Sequence, residues 1–505
     1  MNLNLTTKIF SIFSKLRLGE IEKIQSDPYK IQEENLFKIL DQAKDTEFGQ
    51  KYNFKSIKNI QDFQSQIPIS SYEEFSPYIE RMMNGEVDIL WPGLVNKFSK
   101  SSGTTARSKF LPVSNEMLED SFKAGTDQLI LYLKNNPDSK VLGGKSVFVG
   151  GSLKKIKDEP RIFCGDISAI LMHNLPAFAK YFRTPDIEIA TLDDYEIKLE
   201  KLAEETSEED VRSLAGTPTW TIALINKIVE KKKAKNILEV WPNLEVFFHG
   251  AVAFAPYREL FRELIPSPKM RYMEAYNASE GYFALQDDLS KYGEMWLSPD
   301  YGIFYEFIPM KEFHRENPPV YTMQDVKIGE NYAILISTNS GLWRYLIGDT
   351  VEFTSVLPHR IKITGRTKHF INIFGEEVLV HNTDQAIKEA CVATDATISD
   401  YTVGPMFMSD ENSGGHQWII EFIKSPKDIE EFRDILDSNL RQINSDYDAK
   451  RHKDIILKKL KLNVVPVGTF YNWMKSKGKL GGQNKVPRLS NSREYVEEIL
   501  KFMNW

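Results

Sequence analysis

Four short stretches of the chain hold side chains suited to gripping a nucleotide. The first is Ser101-Ser102-Gly103-Thr104-Thr105, followed by Lys109. Hydroxyls and unobstructed backbone N–H groups in such a run can wrap phosphate oxygens, and a lysine adds a point charge. The GxxxxGK[ST] spacing of a Walker loop is missing. The second runs from Ala275 through Tyr276, Asn277, Ala278, Ser279 and Glu280 to Gly281 and Tyr282. Glu280 can hold Mg²⁺ through oxygen, and Tyr276 can stack a base. The third is Arg344-Tyr345-Leu346-Ile347-Gly348-Asp349, where an acid just after a strand suits the two ribose hydroxyls. The fourth, Thr364-Gly365-Arg366-Thr367-Lys368, puts Arg366 within reach of a ribose or phosphate and Lys368 where a hinge belongs. Each has an ordinary structural alternative: a surface turn, a solvated strand end, a tight turn, or a linker arginine. Their order along one chain is what carries information.

Positioning these stretches requires an α/β scaffold. The first hundred residues read as helical, with Leu36, Ile39, Leu40 and Ala43 at helical spacing and Ser71 with Glu74 as a capping box. From about residue 145, short apolar runs such as Ser146–Val149, Glu245–Phe248 and Ala333–Ile336 alternate with helical patterns. That alternation predicts mostly parallel sheets covered by helices, with ligands gathered beyond the carboxyl ends of the strands. A composition shift after Gly365-Arg366 divides the chain into a large domain, residues 1–366, and a smaller α+β lid, residues 367–505. The lid should contain a hairpin from Phe370 to Val378 and a helix starting near Ser425-Pro426, with Ile429, Phe432 and Ile435 buried. The stretch from Lys475 to Arg488 reads as a loop.

Composition narrows the function. The 505 residues carry a net charge of −7, which leaves no basic excess for a nucleic-acid partner. No run of 18 apolar residues suggests a membrane span, so stable membrane insertion is not expected. Cys164 and Cys391 lie outside any CxxC or metal-spaced cluster; both read as buried small hydrophobes, and a reducing, cytoplasmic setting fits.

Taken together, the stretches resemble the motifs of adenylate-forming enzymes, the superfamily of acyl-CoA synthetases and luciferases. Within it, the chain is most similar to the Gretchen Hagen 3 family of acyl-acid amido synthetases. The likeness extends from Trp91-Pro92-Gly93 through SSGTT, YNASEG, YLIGD and GRTKHFINIFGEEV to the closing Gly482-Gln483-Asn484-Lys485-Val486-Pro487-Arg488. The resemblance implies that Ser101, Ser102, Gly103, Thr104 and Thr105 cradle the phosphates of ATP. It likewise places His249-Gly250-Ala251 and Tyr276 at the adenine, Ser279 beside the nucleotide, and Glu280 on Mg²⁺. Asp349 would take the ribose, Arg366 would support the nucleotide, Lys368 would mark the hinge, and Lys485 would approach the adenylate on closure. Ala106-Arg107 and Asn277-Ala278 depart from the family pattern without removing a side chain assigned to chemistry. Thr217-Pro218-Thr219-Trp220 and Met172-His173 fall where substrate-facing helices are expected.

The implied reaction has two steps. A carboxylic acid attacks Mg·ATP to give acyl-AMP and pyrophosphate, and an amine, an amino acid by the family resemblance, then displaces AMP. A thiol acceptor such as coenzyme A would share the first step, and a non-catalytic nucleotide-binding homologue would keep only the grip on ATP.

Overall fold

A computed structural model of the chain describes residues 3–101, 109–155, 160–251, 254–313, 315–367, 370–371, 376, 378–407, 414–451, 457–480, 485–490 and 492–505. Helices open the chain, as the apolar spacing predicts. Pro28–Ala43 starts on a proline behind the Asp27 cap and buries Leu36, Ile39, Leu40 and Ala43 along one stripe. Tyr72–Met83 begins at the capping box, where Glu74 accepts a hydrogen bond from the Ser71 backbone N–H at 2.7 Å. Its Phe75, Ile79 and Met82 are buried. None of the described helices is long and apolar enough to cross a membrane.

Two compact units emerge: the first comprises Met1–Val252, Ile265–Ile347 and Glu352–Lys362, and the second Ala253–Leu264, Gly348–Val351 and Ile363–Trp505. An eleven-stranded sheet dominates the fold. Five of its strands run parallel, in the spatial order Arg183–Thr184, Lys145–Phe148, Val211–Gly216, Val246–Gly250 and Arg271–Ala278. Beyond Arg271–Ala278 the pairing turns antiparallel through Gly281–Leu285, Met295–Leu297 and His359–Arg366. Tyr345–Val356, Asn331–Thr338 and Ile303–Pro309 complete the order. The Ala333–Ile336 run is thus a strand of the antiparallel half, and it reads as continuously apolar because its side chains are buried on both faces.

Arg344, in the third of the nucleotide-like stretches, proves structural. It is buried, pairs through Nε with Glu306 at 3.0 Å, and donates from Nη1 to the carbonyls of Gln64 and Ile67 at 2.7 Å each. Every element it ties together belongs to the first unit, so its charge secures the packing between helix, loop and sheet.

The second unit is built on a three-stranded sheet, Thr397–Phe407, Gly414–Lys424 and Lys461–Val465, with Val380–Thr394 and Ile429–Ile443 among its helices. Trp418, Tyr401, Ile420, Phe432, Leu436 and Leu440 fill its core. The expected hairpin is present as Phe370–Ile371 paired antiparallel with Val378–Leu379; its turn at Phe374-Gly375 lies outside the described residues. One boundary differs from the sequence reading. The helix placed at Ser425-Pro426 begins at Ile429, because Asp428 is the cap and accepts hydrogen bonds from the N–H groups of Glu430 and Glu431. A carboxylate at that position matches the positive helix end, so three residues of approach precede the first turn. Both cysteines are free and half-buried, less enclosed than the apolar reading assumed.

Candidate functional site

In the first unit, the parallel strands end in register. Gly216 pairs with His249, and Gly250 with Ala275, so these carboxyl ends form one ledge. Backbone geometry brings the strands close together at this ledge. A Cβ on Gly250 would lie 2.5 Å from the Ala275 carbonyl oxygen, so only glycine lets the two strands close there. The exposed Ala251 follows with φ 73, a left-handed conformation that turns the chain sharply away from the strand end. His249 is buried beneath it.

Arg271–Ala278 and Gly281–Leu285 are joined by a two-residue turn, Ser279-Glu280, since Ala278 pairs directly with Gly281. The turn pins both residues to the sheet end. Glu280 is 7% exposed and Ser279 2% exposed. The Ser279 hydroxyl has no hydrogen-bond partner among the described residues, which marks a buried polar position left to be satisfied. Tyr276 is buried against Phe283 at a ring separation of 4.7 Å. Ser101 ends the Lys97–Ser101 strand, and Lys109 opens the antiparallel partner Lys109–Pro112, where its ammonium lies 5.1 Å from the Tyr72 ring. The loop they bracket, with Ser102, Gly103, Thr104 and Thr105, lies outside the described residues, as does Lys368.

The second unit holds the remaining group. Asp349 and Arg366 lie on the strands Tyr345–Val356 and His359–Arg366, and the Arg366 Nε meets Asp349 Oδ1 at 2.9 Å. Gly348 precedes Asp349 with φ 88, and its carbonyl accepts from the Thr367 N–H at 2.7 Å, which fixes the carboxylate against its arginine. Thr364 and Thr350 share a hydrogen bond at 2.8 Å behind them. Lys485 arrives from the far end of the sequence within electrostatic reach of both. Although the residue keeps exposed surface, desolvation of its ammonium lowers its pKa to about 8, against the pull of Asp349 and with help from Arg366 and Arg488.

Residues to which the sequence reading gave no role anchor the chain just past Lys485. Arg488, three residues on, is fixed by Asp400 at 2.6 Å and by the Tyr257 hydroxyl at 2.6 Å, and its guanidinium lies 4.3 Å from the Tyr401 ring centroid. Burial raises the Asp400 pKa to about 6 in spite of Arg488. Tyr401 in turn donates to Asp384 at 2.7 Å. Tyr257 comes from a short segment between two strands of the large sheet, yet it belongs to the second compact unit. No local sequence signal marks this network, because its members are scattered between residues 257 and 488. Trp220, offered as a pocket residue, is half-buried in the helix Pro218–Lys232, which starts directly after the Gly216 strand end. Met172 and His173 close the helix Ile167–His173, with Met172 buried and His173 exposed.

The GH3 family N-terminal domain matches residues 17–270, the central domain residues 297–366 and the C-terminal domain residues 381–494. Indole-3-acetic acid-amido synthetase GH3.3 of Arabidopsis thaliana is 22% identical over 93% of this chain and 90% of that protein. Jasmonoyl--L-amino acid synthetase JAR4 of Nicotiana attenuata is 25% identical over 93% and 92%. Among solved structures, GH3.15 acyl acid amido synthetase superposes with a TM-score of 0.78 at 19% identity, covering 96% of this chain and 95% of that one. A 2-hydroxyisobutyryl-CoA ligase in the postadenylation state reaches 0.59 at 12% identity, covering 94% and 91%. The fold is therefore that of adenylate-forming enzymes, and with all three family domains matched in order, the chain belongs to the GH3 family.

Proposed function

We propose that this protein is an ATP-dependent acyl-acid amido synthetase, working in the cytosol, that adenylates a carboxylic acid and passes the acyl group to an amino acid. The observation that carries the reading is the grouping of Asp349, Arg366 and Lys485, because these three side chains meet the needs of one nucleotide from separate parts of the chain. Carboxylates are weak nucleophiles and approach a negatively charged phosphate. The reaction therefore needs orientation and charge neutralisation more than proton abstraction.

The roles follow from the side chains. Asp349 accepts hydrogen bonds from the ribose hydroxyls while Arg366 keeps it in place. The Gly250-Ala251 backbone and Tyr276 line the adenine. Ser101, Ser102, Gly103, Thr104 and Thr105 hold the phosphates. Lys485 supplies positive charge where it builds up negative on the α-phosphate and the departing pyrophosphate. Among the described residues no three metal-ligating side chains converge, and a single buried carboxylate beside an unsatisfied hydroxyl fits an ion carried on the triphosphate itself. Glu280 and Ser279 would hold Mg²⁺ there, and the ion would supply neutralisation of phosphate charge. The dynamic boundary is placed between residues 1–366 and 367–505. Lys368 is then the hinge about which the small domain turns to exclude water from the adenylate and admit the amine.

The test is pyrophosphate release from purified protein with ATP and Mg²⁺, across aryl, indolyl and fatty acids, with mixed amino acids or coenzyme A as acceptors. Acid-dependent release stimulated by an amino acid supports the reading. Stimulation by coenzyme A alone would make the acceptor a thiol, and release of ADP would overturn adenylation. A narrower expectation concerns the ribose. Asp349→Asn should raise the KM for ATP about 10–100-fold, the worth of a charged hydrogen bond, with the KM for the acid unchanged. An unchanged KM for ATP would remove Asp349 from the site.

A further inference from the structure

The anchor at Arg488 joins stretches of chain that lie on opposite sides of the proposed hinge. Tyr257 stands shortly after Ala251, on the connection between the strands Val246–Gly250 and Arg271–Ala278. A helical turn, Ala255–Tyr257, and the short helix Arg258–Leu264 lie within that connection, and Phe254, Tyr257 and Phe261 are buried. Both Tyr257 and Arg488 belong to the second compact unit. Burial pushes the Tyr257 hydroxyl well above its ordinary pKa, so it meets Arg488 Nη2 as a neutral acceptor at 2.6 Å. Asp400 holds Nη1 of the same guanidinium at 2.6 Å.

The backbone is fixed as firmly as the side chain. The Arg488 carbonyl accepts from the Val403 N–H at 2.8 Å, and the Val403 carbonyl accepts from the Ser490 N–H at 3.1 Å. The Pro487 carbonyl accepts from the Thr402 hydroxyl, and Leu489, bridged to Val403, is buried in the core of the second unit. Val486 and Pro487 alone lie between this point and Lys485. Proline fixes one dihedral and keeps the residue before it extended, and β-branched Val486 adds its own restriction. So short and stiff a link keeps the Lys485 backbone within roughly 11 Å of Arg488.

We propose that Tyr257 and Arg488 are positioning residues forming a latch for Lys485. While the tie is made the lysine is presented to the α-phosphate, and the tie breaks when the small domain turns for the second half-reaction. The inference rests on the amido synthetase reading for the role of Lys485 and for the turning. Chain order supplies the logic. Tyr257 precedes the boundary between residues 366 and 367 and continues at both ends into strands of the large sheet, whereas Arg488 follows that boundary. Rotation of residues 367–505 as a body therefore takes Arg488 away from Tyr257, so the latch serves adenylation and not aminolysis.

The test reads Lys485 directly and needs no substrate. Labelling of the intact protein with acetic anhydride, quantified at Lys485 by peptide mass mapping from about pH 6 to about pH 11, gives the pH at which its ammonium loses a proton. Wild type should titrate near the lowered value of about 8. In Tyr257→Phe the released lysine should titrate about one pH unit or more higher, as its ammonium returns to water. Arg488→Lys keeps a charge beside Asp400 but loses the fork that also reaches Tyr257, and should repeat the shift. Tyr447→Phe is the control: it removes a comparable buried hydroxyl of the same unit, bonded to Asp437 at 2.7 Å, and should leave the Lys485 titration in place. With the acid that gives most pyrophosphate in the panel above, Tyr257→Phe should slow single-turnover release about tenfold, the worth of a hydrogen bond to a charged group. Aminolysis of the ready-made acyl-adenylate should be unchanged. An unmoved titration in Tyr257→Phe and Arg488→Lys would overturn the latch, as would an equal shift in Tyr447→Phe or an equal slowing of both half-reactions. So would a wild-type Lys485 titrating at its ordinary value. Absence of pyrophosphate release from wild type would sink the catalytic reading instead, and the labelling would still decide whether Tyr257 seats the lysine.

Discussion

Lys485→Ala should slow acyl-adenylate formation about 10²–10³-fold, the usual consequence of removing one preorganised charge from a developing anion. Folding should be unaffected, because Lys485 is an exposed residue outside helix and strand. Its neighbour Arg488, held by Asp400 and Tyr257, anchors that part of the chain independently. Single-turnover pyrophosphate release measures the chemical step, and thermal unfolding checks the fold. The pH dependence gives a second handle. With a pKa lowered to about 8, the ammonium is charged below that pH and lost above it. The kcat/KM for ATP, which reports the free enzyme, should therefore hold level near pH 7 and fall as pH rises through about 8. Lys485→Arg should carry the fall to higher pH. Asp349→Asn should move it lower, since Asp349 is the group that raises the lysine. Full activity in Lys485→Ala, or a pH profile indifferent to Lys485→Arg, would refute the assignment.

Glu280→Gln is the second large effect. The substitution keeps the shape of a buried side chain in a two-residue turn and removes only its charge. If Glu280 holds Mg²⁺ against the triphosphate, adenylation should fall by about 10² or more, and the Mg²⁺ concentration for half-activity should rise. ATP binding measured without Mg²⁺ should stay the same or tighten, because one negative charge near the phosphates is gone. That opposite response separates a metal ligand from a structural carboxylate, whose loss would weaken binding with and without the ion alike.

Several parts of this protein were legible before any fold was known. Helices such as Tyr72–Met83 follow from apolar spacing and a local capping box, interactions confined to neighbouring residues. The strand ends at Gly250 and Glu280 were also readable, because a buried apolar run that stops at Gly or in a short turn can do little else. The helix after Ser425 was misplaced by three residues, since Asp and Ser compete for caps on nearly equal terms. Arg344 looked like part of a nucleotide motif, and only burial beside Glu306 reveals its structural task.

Sequence by itself determined the side chains available: a hydroxyl-rich stretch, a carboxylate before a glycine, an acid after a strand and a late lysine, in an order that matches one family. Tertiary structure alone decided which of these meet and at what charge. Asp349, Arg366 and Lys485 become one electrostatic group, and Tyr257 and Asp400 become the clamp on Arg488. Side-chain type is written in the chain residue by residue. Desolvation and Coulomb energy depend on distances between residues remote in sequence, and those distances exist only once the chain has folded.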